Sequence, residues 1–232
     1  MKRCCLAIGL LVFVSLIAAL PASAQMGMGM GGDLFKRPSF TKMFHPVVGK
    51  GAQYLTTDKD GKTSNMEMSI VAKDSVEGKD GFWMEFVMTQ PDGKIFIGKG
   101  LITGNDFQFH RMVVQPPGQQ AMEMPIRPNA MQKQSTAPNT DDWHSVGTES
   151  ITVPAGTFSC EHWRDDKNNS DVWTSDKVSP FGLVKEVHPG SNTMVLTKVI
   201  DNATDRITGP VKQFDMQEMM QQMQQHRQQP QQ

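Results

Sequence analysis

Between Met43 and Ile200 the chain is a succession of short apolar–polar alternations broken by turn clusters. In GFWMEFVMTQ, Phe82, Met84, Phe86 and Met88 hold every second position. Alternate side chains of a strand lie on one face, so this segment predicts a strand with a continuous apolar side. In TSNMEMSIVAK, Met66, Met68 and Ile70 alternate with Asn65, Glu67 and Ser69. KIFIGKGLIT and DFQFHRMVVQ follow, and Phe107 and Phe109 continue the pattern on a fourth strand. Asp58-Lys59-Asp60-Gly61, Glu77-Gly78-Lys79-Asp80-Gly81, Pro91-Asp92-Gly93 and Gly104-Asn105-Asp106 separate these runs. Such clusters supply the glycine and aspartate of tight turns, and the rhythm predicts antiparallel β-structure built from hairpins.

Residues 116–142 interrupt the pattern. Prolines at 116, 117, 125, 128 and 138 disfavour a central strand or a long helix there, although Ala121–Ile126 can form a short edge strand. The alternation then resumes. Pro154 and Gly156 suit a type I turn, which makes Glu149–Trp163 a hairpin, and SDVWTSD, FGLVKEVH and TMVLTKVID each read as strands. After Gly209-Pro210 the character changes: Met216, Met219, Met220 and Met223 recur at helical spacing within a Gln-rich tail that ends in QQPQQ. The expected fold is mainly β: an antiparallel curled sheet or half-open β-barrel with one C-terminal helix.

The N-terminus reads as an address. Met1-Lys2-Arg3 is cationic, Cys4–Leu20 is an apolar run, and Ala22-Ser23-Ala24 has the small-residue pattern of a signal-peptidase site. Residues 1–24 are therefore expected to be a cleaved signal peptide and 25–40 a flexible Gly/Met-rich leader. Residues 41–208 form a β-rich domain with the Pro-rich insert at 116–142, and 209–232 a helical, low-complexity tail. The chain is expected in the periplasm of a Gram-negative-type bacterium, not membrane-spanning after cleavage. Loss of Lys2 and Arg3 changes Lys+Arg from 23 to 21 against 24 Asp+Glu, a net charge of −3. That balance excludes a strongly basic nucleic-acid surface. Cleavage also removes Cys4 and Cys5 and leaves Cys160 alone, so no internal disulfide is expected.

Two passages carry a resemblance. GTESITVPAGTFSCEHW followed by DVWTSDKVSPFGLVKEV, together with VVGKGAQYLTTDKDGKTSNMEMSIVAKDSVEGKDGFWMEF, resembles uncharacterised bacterial exported families with a V-P-A-G-T-F hairpin. These families are placed near the LolA/LolB-like lipoprotein-carrier superfamily. The resemblance implies a half-open antiparallel barrel around an apolar cavity able to hold a lipid-like molecule. It implies fold more than activity, and no binding residue is carried over from the carriers.

For catalysis the chain offers no G-x-S-x-G, H-E-x-x-H, P-loop or G-x-G-x-x-G motif. Cys160 and His162, two apart on a strand, share a face, with Asp165 or Asp166 as a candidate orienter. The blander reading, a half-buried cysteine beside a surface histidine, is preferred, and no enzyme activity or cofactor is expected. Eighteen methionines open a second reading, because thioethers favour Cu(I). Met219, Met223 and His226 would line one helix face, although a methionine stripe more often packs. The preferred reading is a hydrophobic ligand on the strand faces, with Met66, Met68, Phe82, Met84, Phe86, Met88, Phe107 and Phe109 as its lining. The alternatives are an envelope structural or interaction protein without a small-molecule ligand, with a protein partner held through the tail, and the periplasmic Cu(I) site.

Overall fold

The computed structural model describes residues 44–103, 108–126, 143–190 and 192–215. They form β1 (Gly51–Thr57), β2 (Thr63–Val76), β3 (Lys79–Thr89), β4 (Ile95–Thr103), β5 (Gln108–Gln115) and β6 (Met122–Met124). The second half supplies β7 (Trp143–Val153), β8 (Gly156–Asp165), β9 (Ser170–Thr174), β10 (Leu183–Val187), β11 (Thr193–Ile200) and β12 (Lys212–Gln213). All twelve strands belong to one sheet, ordered β12-β6-β5-β4-β3-β2-β1-β11-β10-β9-β8-β7. Among the described residues the sheet ends at β12 and β7 and is not closed into a barrel, so the expected mainly β fold takes the form of one large curled sheet. It is mixed rather than purely antiparallel, because β12 runs parallel to β6. The expected C-terminal helix, the signal peptide and the leader lie outside the described residues.

The turns follow the local chemistry. Glu77 and Gly78 both have positive φ (51° and 78°), which twists the β2–β3 connection to match its strands. Asp58 Oδ1 accepts from the backbone N–H of Asp60 and Lys62, both at 2.9 Å, and closes the β1–β2 turn. Pro154 and Ala155 join β7 to β8, so the hairpin predicted for Glu149–Trp163 is present and extends to Trp143 and Asp165. Ala121–Ile126 yields β6, which is covered on its outer side by β12 and is therefore second from the edge.

One core cluster joins both halves of the sheet. Met66, Met68, Ile70, Met84 and Ile102 from β2–β4 pack with Tyr54, Val172, Leu183, Met194 and Leu196. The sheet thus curls until its two halves share an interior, and the entropy of ordering so many strands is offset mainly by this apolar burial. Tyr54 is fully buried and donates its hydroxyl to the Leu183 carbonyl at 3.1 Å. Burial, reinforced by the Glu186 carboxylate, pushes that phenol above its ordinary range.

A strap crosses the outer face. Ala203 N–H donates to Gly49 O at 2.8 Å, and Arg206 Nη2 reaches both Glu67 oxygens at 2.9 and 2.7 Å. Lys99 pairs with Asp205 at 2.5 Å, and Ile207 packs on Val113 and Ala121 beside Trp83 and Ile97. Lys99 and Arg111 sit over the Trp83 ring at 5.4 and 5.2 Å, so this tryptophan belongs to the outer face. Replacing Arg206 with alanine removes a partly exposed pair and is expected to cost about 1 kcal/mol. Denaturant titration reads this as a lower midpoint, and an unchanged midpoint would move the strap's hold to its other contacts.

Candidate functional site

Directly opposed residues of neighbouring strands point to the same side of the sheet, so the register defines the concave face. One row runs Met68, Phe86, Gly98, Val114, Met122 across β2–β6. The next runs Ile70, Met84, Gly100, Met112, Met124. A third joins Tyr54, Met66, Met88 and Phe96. None of these side chains is charged.

Burial divides this face in two. Met66, Met68 and Met84 are sealed at 3%, 1% and 0% exposure, where the curl of the sheet brings the second half onto them. Phe82, Phe86, Met88 and Phe109 border that core and are half-buried. Phe107 lies outside the described residues. Beyond this border Phe96, Met112, Val114, Met122 and Met124 continue the face, all half-buried. Sequence reasoning did not assign these five to the ligand face. The signals were the Met112/Val114 and Met122/Met124 alternations, each too short to define a face until register joined them. Gly98 and Gly100 lie between the rows, and a side chain at Gly100 would meet the Phe109 ring, its Cβ 2.6 Å from Cε1. The floor is therefore formed by aromatic rings lying over glycine. An open cleft of about 240 Å³ adjoins Met124, bordered by His110, Arg111, Glu123, Gln213 and Phe214.

Cys160 is buried, and burial with the nearby Glu149 charge pushes its thiol up to about 11. A thiol so placed stays protonated at neutral pH, whereas the nucleophile is the thiolate. Both His162 nitrogens face carboxylates: Nδ1 is 3.0 Å from Glu149 Oε1 and Nε2 is 2.7 Å from Asp171 Oδ1. Its ring stacks on Trp173 at 4.5 Å, and the Trp173 indole N–H donates to Glu149. Asp165 accepts from the backbone N–H of Lys167 and Asn168 and so closes the β8–β9 turn, while Asp166 pairs with Arg164 at 3.0 Å. The residues of the sequence-level nucleophile thus have other partners.

Ser170, His188 and Glu186 stand in the order of a hydrolase triad. His188 Nδ1 is 2.5 Å from Ser170 Oγ, and Nε2 is 2.5 Å from Glu186 Oε1. Ser170 is 1% exposed and donates to the Asn168 carbonyl at 3.2 Å. A nucleophile must meet its substrate, and this hydroxyl is turned into a hairpin. The trio ties β9 to the end of β10. For metals, no group of three or more His, Cys, Asp or Glu that could hold an ion occurs among the described residues. The copper alternative of Met219, Met223 and His226 lies outside them.

No protein-family model and no curated protein matches this sequence. Among solved structures, the chain is similar to a protein described as a lipoprotein from Parabacteroides distasonis, with 17% identity and a TM-score of 0.35 over 68% of this chain and 97% of that one. It is similar to a protein described as exported, with a YmcC-like fold, from Bacteroides fragilis, at 13% identity and a TM-score of 0.35 over 67% and 98%. MucB in complex with MucA(peri) gives 10% identity and a TM-score of 0.33 over 78% of this chain and 59% of that one.

Proposed function

We propose that this is an exported, non-catalytic β-domain that holds a lipid-like or other hydrophobic ligand on the concave face of β3–β6. The observation that carries the reading is the change in burial along one uncharged surface. The rows are sealed at Met66, Met68 and Met84 but only half-buried at Phe96, Met112, Val114, Met122 and Met124. A plain core would end where its packing ends. Here the apolar rows continue across β4, β5 and β6, whose outer face mixes Ile97 and Val113 with Lys99, Arg111 and Glu123. Methionine is flexible and polarisable, which suits a surface that accepts ligands of loosely specified shape. The cationic start, apolar run and Ala22-Ser23-Ala24 support export.

The test is native mass spectrometry of residues 25–232 purified from a bacterial periplasm, with organic extraction of the same sample. A bound apolar molecule that appears reproducibly and leaves on extraction is the expected result. A bare mass in every preparation would overturn the ligand reading.

A further inference from the structure

We propose that the ligand of the concave face is a single-chain anionic amphiphile, its acyl chain laid across β3–β6 and its head paired with Lys212 on β12. The inference rests on the concave-face reading above and adds the chemical class of the ligand and the residue that selects it.

The row through Val114 does not stop at Met122. β12 runs parallel to β6 and sets Lys212 opposite Met122. Lys212 N–H donates to Ala121 O at 2.9 Å and Phe214 N–H to Glu123 O at 3.0 Å, which fixes that register. Paired residues of neighbouring strands share a side of the sheet, so the Lys212 side chain stands on the concave side beside Met122. From the border of the core to the edge of the sheet the row therefore reads Phe86, Gly98, Val114, Met122, Lys212. It carries no charge until its last position, where it meets a cation.

The outer face of the same strands treats its cations differently. Lys99 is paired with Asp205 and Arg111 with Glu123. Glu123, next to Met122 in β6, is turned to that outer side and also accepts from Gln213. Lys212 is exposed and has no carboxylate partner among the described residues. A lysine on a short edge strand also discourages edge-to-edge pairing. That role needs only a charge at the edge, not one at the end of an apolar row.

Length agrees with the position. Phe86 to Lys212 crosses four strand spacings, about 19 Å. One leaflet of a bilayer's hydrocarbon core, filled by acyl chains standing on end, is about 15 Å. A chain of that length along the row covers the half-buried Phe86, Val114 and Met122 and brings its head to Lys212. The head stays at the wet edge, so no charge has to be buried. A cationic head would be repelled there, and a neutral one would leave the ammonium without a counter-charge.

The experiment uses the full mature chain and displaces bound 1-N-phenylnaphthylamine with dodecanoate or dodecyltrimethylammonium at low salt. The parent should bind dodecanoate more tightly than the cation. Lys212→Gln should weaken dodecanoate about fivefold, the size of a partly exposed ion pair, and leave the affinity for the probe itself unchanged. Lys59→Gln, at an exposed lysine of the β1–β2 turn, should leave dodecanoate binding as in the parent. A parent that prefers the cation, a Lys212→Gln chain that binds dodecanoate as the parent does, or a loss that Lys59→Gln reproduces would overturn the head-group assignment and keep the apolar site. Binding of neither the probe nor dodecanoate to any of the three chains would remove the ligand reading, and this inference with it.

Discussion

Gly51→Ala is expected to destabilise the fold by about 3 kcal/mol, through overpacking at a close strand crossing. Gly51 opens β1 directly opposite Ser69. An added Cβ would lie 2.6 Å from the Met68 carbonyl oxygen and collide with the Ser69 side chain. The carbonyl belongs to a central strand and cannot swing away as a side-chain tip can. Gly→Ala at an unstrained extended position would stabilise by roughly 0.4–1 kcal/mol through the unfolded chain. The collision outweighs that gain. The hydrogen bonds from Gly49 N–H to Ile70 O at 2.7 Å and from Ile70 N–H to Lys50 O at 2.9 Å flank the site, so β1 cannot slide to make room. For a chain of this size the change corresponds to a fall in Tm of about 6–12 °C. A scan of the variant that matched the parent would contradict the register assigned to β1 and β2.

Glu85→Gln is expected to act in the opposite direction, and only above mildly acid pH. Glu85 lies beneath the strap, 1% exposed, and accepts the Arg206 backbone N–H at 3.0 Å. Burial pushes its carboxyl up to about 7, against the lowering effect of that hydrogen bond, with Asp205 adding to the rise and Arg206 and Lys99 opposing it. Because the folded pKa exceeds the unfolded one, the fold binds the proton more tightly than the unfolded chain does. The corresponding stability is fully present below the unfolded value of 4.5 and is lost as pH rises through about 7. A shift of that size corresponds to about 3 kcal/mol at pH 8. Glutamine keeps an oxygen for Arg206 N–H without the charge. Denaturation at pH 8 should therefore show Glu85→Gln more stable by up to about 3 kcal/mol, and at pH 4.5 nearly equal to the parent. A variant less stable at both pH values would show that the carboxylate, rather than the neutral acid, holds the strap.

The sequence made the strands of the first half legible because their signal is local. Met66, Met68 and Ile70 alternate with polar residues and all three are buried, and the Glu77-Gly78 turn needs only its own two residues. What remained hidden depends on contacts far apart in the chain. Residues 202–209 carry no strand alternation, yet Arg206 reaches Glu67 and Asp205 reaches Lys99, more than a hundred residues away. Trp83 is held on the outer face by Lys99 and Arg111 from two other strands, contacts that no local pattern displays. Barrel closure was equally non-local. It turns on whether β7 and β12 meet, and each is a sheet edge. Of the proposed face, the alternation of Phe82, Phe86 and Met88 was legible in the sequence, whereas its outer part needed the β4–β5–β6 register to bring Phe96, Met112, Val114, Met122 and Met124 together.

The central claim is that the half-buried part of the concave face binds apolar molecules. Equilibrium titration of the full mature chain and its Val114→Glu variant with 1-N-phenylnaphthylamine tests it most directly. Val114 lies between Gly98 and Met122 in the exposed end of a row, so a carboxylate there has to be desolvated when the probe binds. The account predicts saturable binding to the parent and at least about tenfold weaker binding to the variant, a loss of roughly 1.4 kcal/mol, with the two Tm values within a few degrees. Equal affinity for both chains would place any apolar site elsewhere and contradict the account.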